Sequence, residues 1–386
     1  MTNLPSTHSL DPIDLLAALV AIDSVNPDLV PDAHGEAEIA DVCATWLADH
    51  GLETHRLETR AGRPSIVGIA RGRGGGRSLM LNGHFDTVSL ADYEGDPLEP
   101  VQMDGKLFGR GSFDMKGGLA AAMVATARAA TLGLRGDVIV ACVADEEHSS
   151  FGTEEVLARF GADAAIVTEP SHLEITLWHK GFIWFEVTIV GRAAHGSLPD
   201  LGIDAIAKAG HLLVALEAWG ERLRTGPQHS KLRNGTVHAS LIHGGEEASS
   251  YPVSCHVTVE RRTVPGETAE LVEAQFVALL DSLTATVPDF AYRLECGLVR
   301  EPFEADPESD IVRIVAKHAG DVTGNPPVLR GEPFWTDCAL IAEAGIPVLM
   351  LGADGGGAHA ATEWTTVASV RQLDDILTAT IVEFCR

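Results

Sequence analysis

The chain is poor in positive charge: 28 Lys and Arg stand against 55 Asp and Glu in 386 residues, a formal net charge of −27. A surface that acidic repels phosphate backbones and anionic bilayers, so neither nucleic acid nor membrane is expected as a partner. No stretch approaches the roughly 18 apolar residues of a membrane span, and residues 1–14 carry no basic segment leading into an apolar run. Six cysteines (Cys43, Cys142, Cys255, Cys296, Cys338 and Cys385) form no CxxC pair. Scattered in a chain of this size, they read as free thiols and point to the cytoplasm rather than to a disulfide framework. Internal repeats and low-complexity tracts are absent too, and the run RGRGGGR at 71–77 reads as a solvated turn.

What is present is ordinary for a globular protein, with 45% hydrophobic and 22% charged residues. The length exceeds one hydrophobic core, so two domains are expected. Helical spacing at 11–22, 36–50 and 117–131 alternates with short apolar runs at 65–70, 78–81, 137–143 and 164–167. Those runs suit buried strands of an α/β sheet covered on both faces. After His179 the order becomes strand 182–190, helix 203–223, strands 236–242 and 254–261, helix 268–283 and strand 290–296. That β-α-β-β-α-β order predicts a ferredoxin-like α+β sandwich. A helix at 310–319 and an apolar run at 347–351 return to the first style. The expected organisation is one discontinuous α/β domain, 1–178 and 296–386, interrupted by a smaller domain at 179–295.

Five polar clusters each follow an apolar run, where strand ends deliver side chains to a site. In GHFDTV at 83–88, His84 and Asp86 lie two apart and point the same way on an extended chain. One could ligate a metal while the other steadies its ring, or His84 could be a hydrogen-bonded core residue. GRGSFDMKGG at 109–118 tempts a phosphate-loop reading but lacks the Walker order; Asp114 at its turn suits a carboxylate bridging two cations. DEE at 145–147 is either a solvated acidic loop or a set of carboxylates neutralised by cations, one ligating and its neighbour acting as general base. Glu169 in TEP and His359 in GGGAH complete the group. Together His84, Asp114, Glu147, Glu169 and His359 form a cysteine-free His/carboxylate set suited to Zn²⁺, Co²⁺ or Mn²⁺. Five ligands are too many for one catalytic zinc and enough for two metals sharing a carboxylate.

With GRAAHGSLPDLGIDAI at 191–206, RRTVPGET at 261–268 and AHAATEW at 358–364 following in order, the sequence resembles one family of co-catalytic zinc hydrolases over nearly its whole length. That family includes acetylornithine deacetylase, succinyl-diaminopimelate desuccinylase, aminoacylase and glutamate carboxypeptidase. The resemblance implies a zinc-peptidase-like α/β catalytic domain with a mostly parallel central sheet, and an inserted lid and dimerisation domain. It implies that His84 and Glu169 hold one divalent metal ion, Glu147 and His359 a second, and that Asp114 bridges them. Asp86 would steady His84, Glu146 would be the general base, and the Asp114–Met115 peptide would be cis. His195 would reach across a homodimer to the oxyanion, and Arg262 would grip a substrate carboxylate. A capping role for His195 and a structural salt bridge for Arg262 are the competing accounts.

The sequence departs from the family where relatives carry an Asn in an Asn-x-x-Pro segment. Here Ser249 stands in that substrate-facing place, ahead of Pro252. Phe334, Trp335 and Trp364 either line a pocket or pack a core, Asp337 reads as structural, and His148 and His179 as structural or surface residues. The activity expected is hydrolysis of the amide bond of a small N-acyl amino acid. The alternatives are a dipeptidase or carboxypeptidase with the same centre, and a metal-dependent binding protein without catalysis.

Overall fold

The structure, a computed structural model, describes residues 10–386. The reading of residues 1–14 falls mostly on residues 1–9, which lie outside the described residues. The chain divides into two compact units: the segment up to Leu177 with Ala305–Arg330 and Thr336–Arg386, and Trp178–Glu304 with Gly331–Trp335.

In the first unit the apolar runs become strands buried along their whole length: Ser65–Ala70, Leu79–His84, Val138–Val143 and Ala164–Val167. Val, Ile and Leu on both faces of such a strand require cover on both sides. The sheet runs in the order Glu53–Leu57, Ser65–Ala70, Val138–Val143, Leu79–His84, Ala164–Val167, Val348–Met350, Ile175–His179. The block from Val138–Val143 to Val348–Met350 is parallel. Ser65–Ala70 and Ile175–His179 run against their neighbours. A parallel block gathers the C-terminal ends of its strands along one edge, and His84, the DEE segment and Glu169 stand at those ends.

Helix Lys116–Leu132, rich in Ala, packs against that sheet and against helices Pro12–Val20 and Val367–Phe384. Small side chains let it approach closely, and Gly118 is the extreme case: a Cβ there would lie 1.9 Å from the Thr168 carbonyl oxygen. Gly352 presses from another direction, with a Cβ position 2.0 Å from the carbonyl oxygen of Glu169. Both glycines are fixed by close approach to the one turn that carries Glu169.

The second unit has strands Gly181–Val190, Thr236–Gly244, Ser254–Thr263 and Tyr292–Arg300, with helices Ala205–Thr225 and Ala269–Thr286. The antiparallel order Thr236–Gly244, Ser254–Thr263, Gly181–Val190, Tyr292–Arg300 is that of a ferredoxin-like sandwich. Asp204 and Thr268 cap the two helices through the N–H groups of Ala207 and Leu271. Alternation decides the faces. Ile183, Phe185, Val187 and Ile189 join Cys255, Val257 and Val259 in the core with Leu212, Leu216 and Phe276.

The unit is longer than the expected 179–295. Its last strand continues through an irregularity between Cys296 and Val299. Trp335 joins it by donating to the Glu301 carbonyl at 3.1 Å and packing edge-on to Phe182 and His179. Trp335 is therefore core packing, and His179 is a buried structural residue. Among the described residues no helix is long and apolar enough to cross a membrane. All six cysteines are free.

Candidate metal centre

His84 ends strand Leu79–His84; Glu146 and Glu147 follow Val138–Val143; Glu169 follows Ala164–Val167. Asp114 sits in the turn before helix Lys116–Leu132, and His359 in a loop beyond Val348–Met350. These are five separate segments, and the first unit brings them together. His84 Nε2 lies 3.3 Å from Asp114 Oδ1, 3.3 Å from Glu169 Oε1 and 3.8 Å from Glu146 Oε2. His359 Nε2 lies 3.4 Å from Asp114 Oδ2 and 3.0 Å from Glu147 Oε2. The two oxygens of Asp114 thus face two different trios: His84, Asp114 and Glu169 on one side, and Asp114, Glu147 and His359 on the other.

The donor set fits divalent cations. Ligands about 2.0–2.2 Å from one ion in tetrahedral array sit roughly 3.4 Å from one another, close to the spacings in both trios. His84 Nε2 is buried without a hydrogen-bond partner, although carboxylate oxygens surround it. Its other nitrogen explains the orientation: Nδ1 is 3.0 Å from the main-chain carbonyl of Asp86, which fixes the proton there and turns the Nε2 lone pair toward the cluster.

Asp86 meets His84 twice, through that carbonyl and through its carboxylate, which is 3.4 Å from Nδ1. The carboxylate also accepts the N–H groups of Glu146 and Glu147, both at 3.2 Å, and the Asn26 amide at 2.8 Å. One residue therefore contacts both the His84 ring and the main chain of the turn carrying two carboxylates.

The charge balance is uneven. Burial opposes a charge on His84, but Glu169, Asp114 and Asp86 outweigh it and hold its pKa well above the ordinary value. The carboxylates of Asp114 and Glu147 push His359 up to about 10. Burial, then the charge of Asp114, raises Glu147 to about 7 and Glu169 to about 8. Burial and Glu169 raise Glu146 well above the carboxylate range. Burial also works to raise Asp114, but His359 and His84 overcome it and draw the group below its usual value. Such a cluster needs positive charge from outside, either as protons or as cations.

The three consecutive acids have three fates, and none is a solvated loop. Glu146 turns toward His84 and Glu147 toward His359. Asp145 is fully buried and accepts from Arg63 at 2.9 Å and Asn26 at 3.0 Å. Asn26 and Arg63 escaped the sequence reading because nothing within a short window marks them. Asp145 lies 82 residues from Arg63 and 119 from Asn26. Asp337 is buried with its carboxylate held by Thr153 at 2.6 Å, and burial pushes it up to about 6. The Asp114–Met115 peptide is cis, as the family resemblance implies.

His195, Ser249 and Arg262 belong to the second unit. His195 is exposed, its Nδ1 2.8 Å from the Ser197 hydroxyl. Its segment pairs with that of Ser249, whose carbonyl accepts the Gly196 N–H at 2.7 Å. Arg262 points away from the buried Arg261 by strand alternation. Its Nε donates to Glu260 at 2.8 Å and its guanidinium lies over the Phe182 ring, so a salt bridge of its own is in place.

A pair of His/carboxylate trios at the C-terminal edge of a parallel strand block defines a class, the metal-dependent hydrolases of amide or peptide bonds. Within that class the chain belongs to peptidase family M20/M25/M40, whose pattern matches residues 80–383. It is 29% identical over 386 residues to an acetylornithine deacetylase of Myxococcus xanthus, covering 96% of both chains. It is 28% identical over 382 residues to a succinyl-diaminopimelate desuccinylase of Parvibaculum lavamentivorans, covering 95% of this chain and 93% of that one. Among solved structures, an M20 family metallo-carboxypeptidase from Sulfolobus solfataricus superposes with a TM-score of 0.79 at 16% identity, covering 97% of this chain and 99% of that chain.

Proposed function

We propose that this enzyme hydrolyses the amide bond of a small N-acyl amino acid, using two divalent cations, zinc first among them and cobalt or manganese as alternatives. The observation that carries the reading is Asp114, whose two oxygens each complete a separate trio. Held by those two trios, two cations would supply Lewis acidity and lower the pKa of a bound water. The residues do the rest. Glu146 reaches toward the cluster but belongs to neither trio. In this reading it takes the proton of the attacking water and returns it to the leaving amine. Asp86 holds the turn that aims it. The deacylase reading is preferred to dipeptidase or carboxypeptidase because both full-length relatives named above are deacylases, at higher identity than the carboxypeptidase.

The second unit supplies the remaining parts of the proposal. Strand Thr236–Gly244 is exposed along nearly its whole length at the sheet edge. Leu241, Ile242, Ile206 and Val214 are exposed on that strand and on helix Ala205–Thr225. An apolar edge strand of this kind suits pairing with a second copy, so the unit is proposed as the dimer interface and lid. His195 would then serve the partner's site as an oxyanion donor, such donors being worth roughly 3–4 kcal/mol. Arg262 and Ser249 are proposed substrate contacts, Arg262 sharing its guanidinium between Glu260 and a substrate carboxylate. A cytoplasmic location accords with six free thiols.

The test is a panel of N-acyl amino acids and dipeptides assayed with added Zn²⁺, Co²⁺ or Mn²⁺. Preferential turnover of an acyl amino acid is expected. Dipeptide turnover with no deacylation would sink the substrate assignment, and metal-independent turnover would sink the mechanism. A His195→Ala variant that kept wild-type kcat would remove the trans-acting histidine.

A further inference from the structure

Asp114 performs the most demanding task in the centre, because both trios use it. Its geometry depends on the turn preceding helix Lys116–Leu132, and that turn is clamped by one buried side chain. Glu363, 1% exposed, accepts four donors. Oε1 takes the N–H groups of Phe113 at 3.0 Å and Asp114 at 2.9 Å; Oε2 takes Gly111 N–H at 3.0 Å and the Arg110 guanidinium at 2.9 Å. Arg110 is itself buried, and its other terminal nitrogen donates to the Ala360 carbonyl at 3.0 Å. The main-chain carbonyl of Glu363 accepts from Gly109 N–H and the Tyr93 hydroxyl, both at 3.2 Å.

We infer that Glu363 is a positioning residue that sets the bridging carboxylate and ties it to the second trio. Glu363 stands four residues after His359, so one short segment carries a ligand of one trio and the clamp on the ligand both trios share. His359 itself has a positive φ of 60°, an uncommon conformation for a non-glycine residue that a local constraint helps to hold. The clamp at Glu363 and the Arg110–Ala360 bond on the same segment are such a constraint. The carboxylate cannot be exchanged for its amide without loss. Each oxygen already accepts two hydrogen bonds, and an NH₂ group in place of either would face N–H donors with nothing to accept them.

The inference rests on the two-metal reading, and its test separates the two. Zn²⁺ is titrated into the metal-stripped, full-length protein and the ions bound and their affinities are measured, with Co²⁺ absorption spectra reporting geometry. Wild type is expected to take two ions. Glu363→Gln is expected to bind both 10- to 100-fold more weakly, with a changed Co²⁺ spectrum. Arg110→Met removes one of the four donors, leaves Glu363 in place, and is expected to weaken binding by a smaller factor. Folded Glu363→Gln protein with wild-type affinities and spectrum overturns the inference, since a residue needed only for packing would lower the metal-free melting temperature and leave affinity alone. If Glu363→Gln does not fold, Arg110→Met decides, and unchanged affinity there overturns the inference. Fewer than two ions on wild type would overturn the two-metal reading itself.

Discussion

Two acidic clusters lie side by side at the C-terminal edge of the strand block, and they meet the same electrostatic problem differently. Asp28, Asp145 and His148 come close enough to hold a cation, as the two trios around Asp114 do. In the first cluster the cation is built in: Arg63 binds Asp28 and Asp145 at 2.9 Å and pairs with Glu36. In the second, among the described residues, no Lys or Arg forms an ion pair with Asp114, Glu147 or Glu169, and only the two histidines approach them. Arg63, engaged by Asp28, Asp145 and Glu36, neutralises acids and fixes a turn, and its charge is spent there. Where positive charge comes from solution as a metal cation, it can also polarise a substrate or activate water. The DEE segment straddles the boundary, with Asp145 on the fixed side and Glu146 and Glu147 on the exchangeable side.

The largest expected effect tests the side that carries chemistry. Glu146→Gln is expected to cut kcat by about 10²–10⁴-fold while two metal ions remain bound. Substantial loss of metal would make Glu146 a ligand instead. On the fixed side, Arg63→Met leaves buried Asp145 and Glu36 without their cation and is expected to cost about 3–5 kcal/mol of stability in denaturant unfolding. Zn²⁺ should not restore it; recovery with metal would abolish the distinction between the clusters.

Within the exchangeable side, the halves differ in burial. The His84 side chain is fully buried, whereas that of His359 is 53% exposed. His359→Ala is expected to lose one ion and to lower the metal-free melting temperature less than His84→Ala does, because its ion pairs with Asp114 and Glu147 are half open to solvent. His84→Ala should lose one ion and destabilise the metal-free fold as well, because it leaves a buried gap among carboxylates. Equal melting temperatures for the two variants would contradict the asymmetry.

The smallest effect concerns pH. In the metal-free protein Glu147 and Glu169 are raised to about 7 and about 8. Between the ordinary carboxylate pKa and these values the native state binds more protons than the unfolded one. The metal-free fold should therefore lose stability as pH rises from about 5 to 8. Both histidines shift upward too and extend the loss in the same direction. Zn²⁺ uptake displaces those protons, so affinity should strengthen as pH rises from 6 to 8, by about tenfold per pH unit for each proton released. A stability curve that is flat, or rises over this range in the metal-free protein, would show that the cluster is neutralised from within.

The five residues of the two trios could be singled out in the sequence for different reasons: His84, Glu147 and Glu169 stand at or just after apolar runs that become parallel strands, whereas Asp114 and His359 stand in glycine-rich turns. The ferredoxin-like unit was legible because Gly181–Val190 and Ser254–Thr263 alternate with period two around two capped helices. Arg63, Asn26 and Glu363 were not legible as parts of the site. Their partners are 82, 119 and about 250 residues away; Arg63 and Asn26 stand in no motif, and AHAATEW, which holds Glu363, gives no sign of the Asp114 turn as its partner. Trp335, open between pocket and core at the sequence level, was decided by packing against His179 and Phe182.

The sequence by itself determined the buried strands of the parallel block, the ferredoxin-like order, the chemical types of the candidate ligands and the family, since periodicity and motif order are local or serial properties. Helix Val367–Phe384 and strand Ile175–His179 emerged only in the structure. Only the tertiary structure decided which acid of DEE belongs to which cluster, and which oxygen of Asp114 faces which histidine. It alone showed that a fixed guanidinium occupies one cluster. The physical reason is that charge compensation depends on distance in space, through burial and Coulomb interaction over a few ångströms, and chain position does not encode that distance.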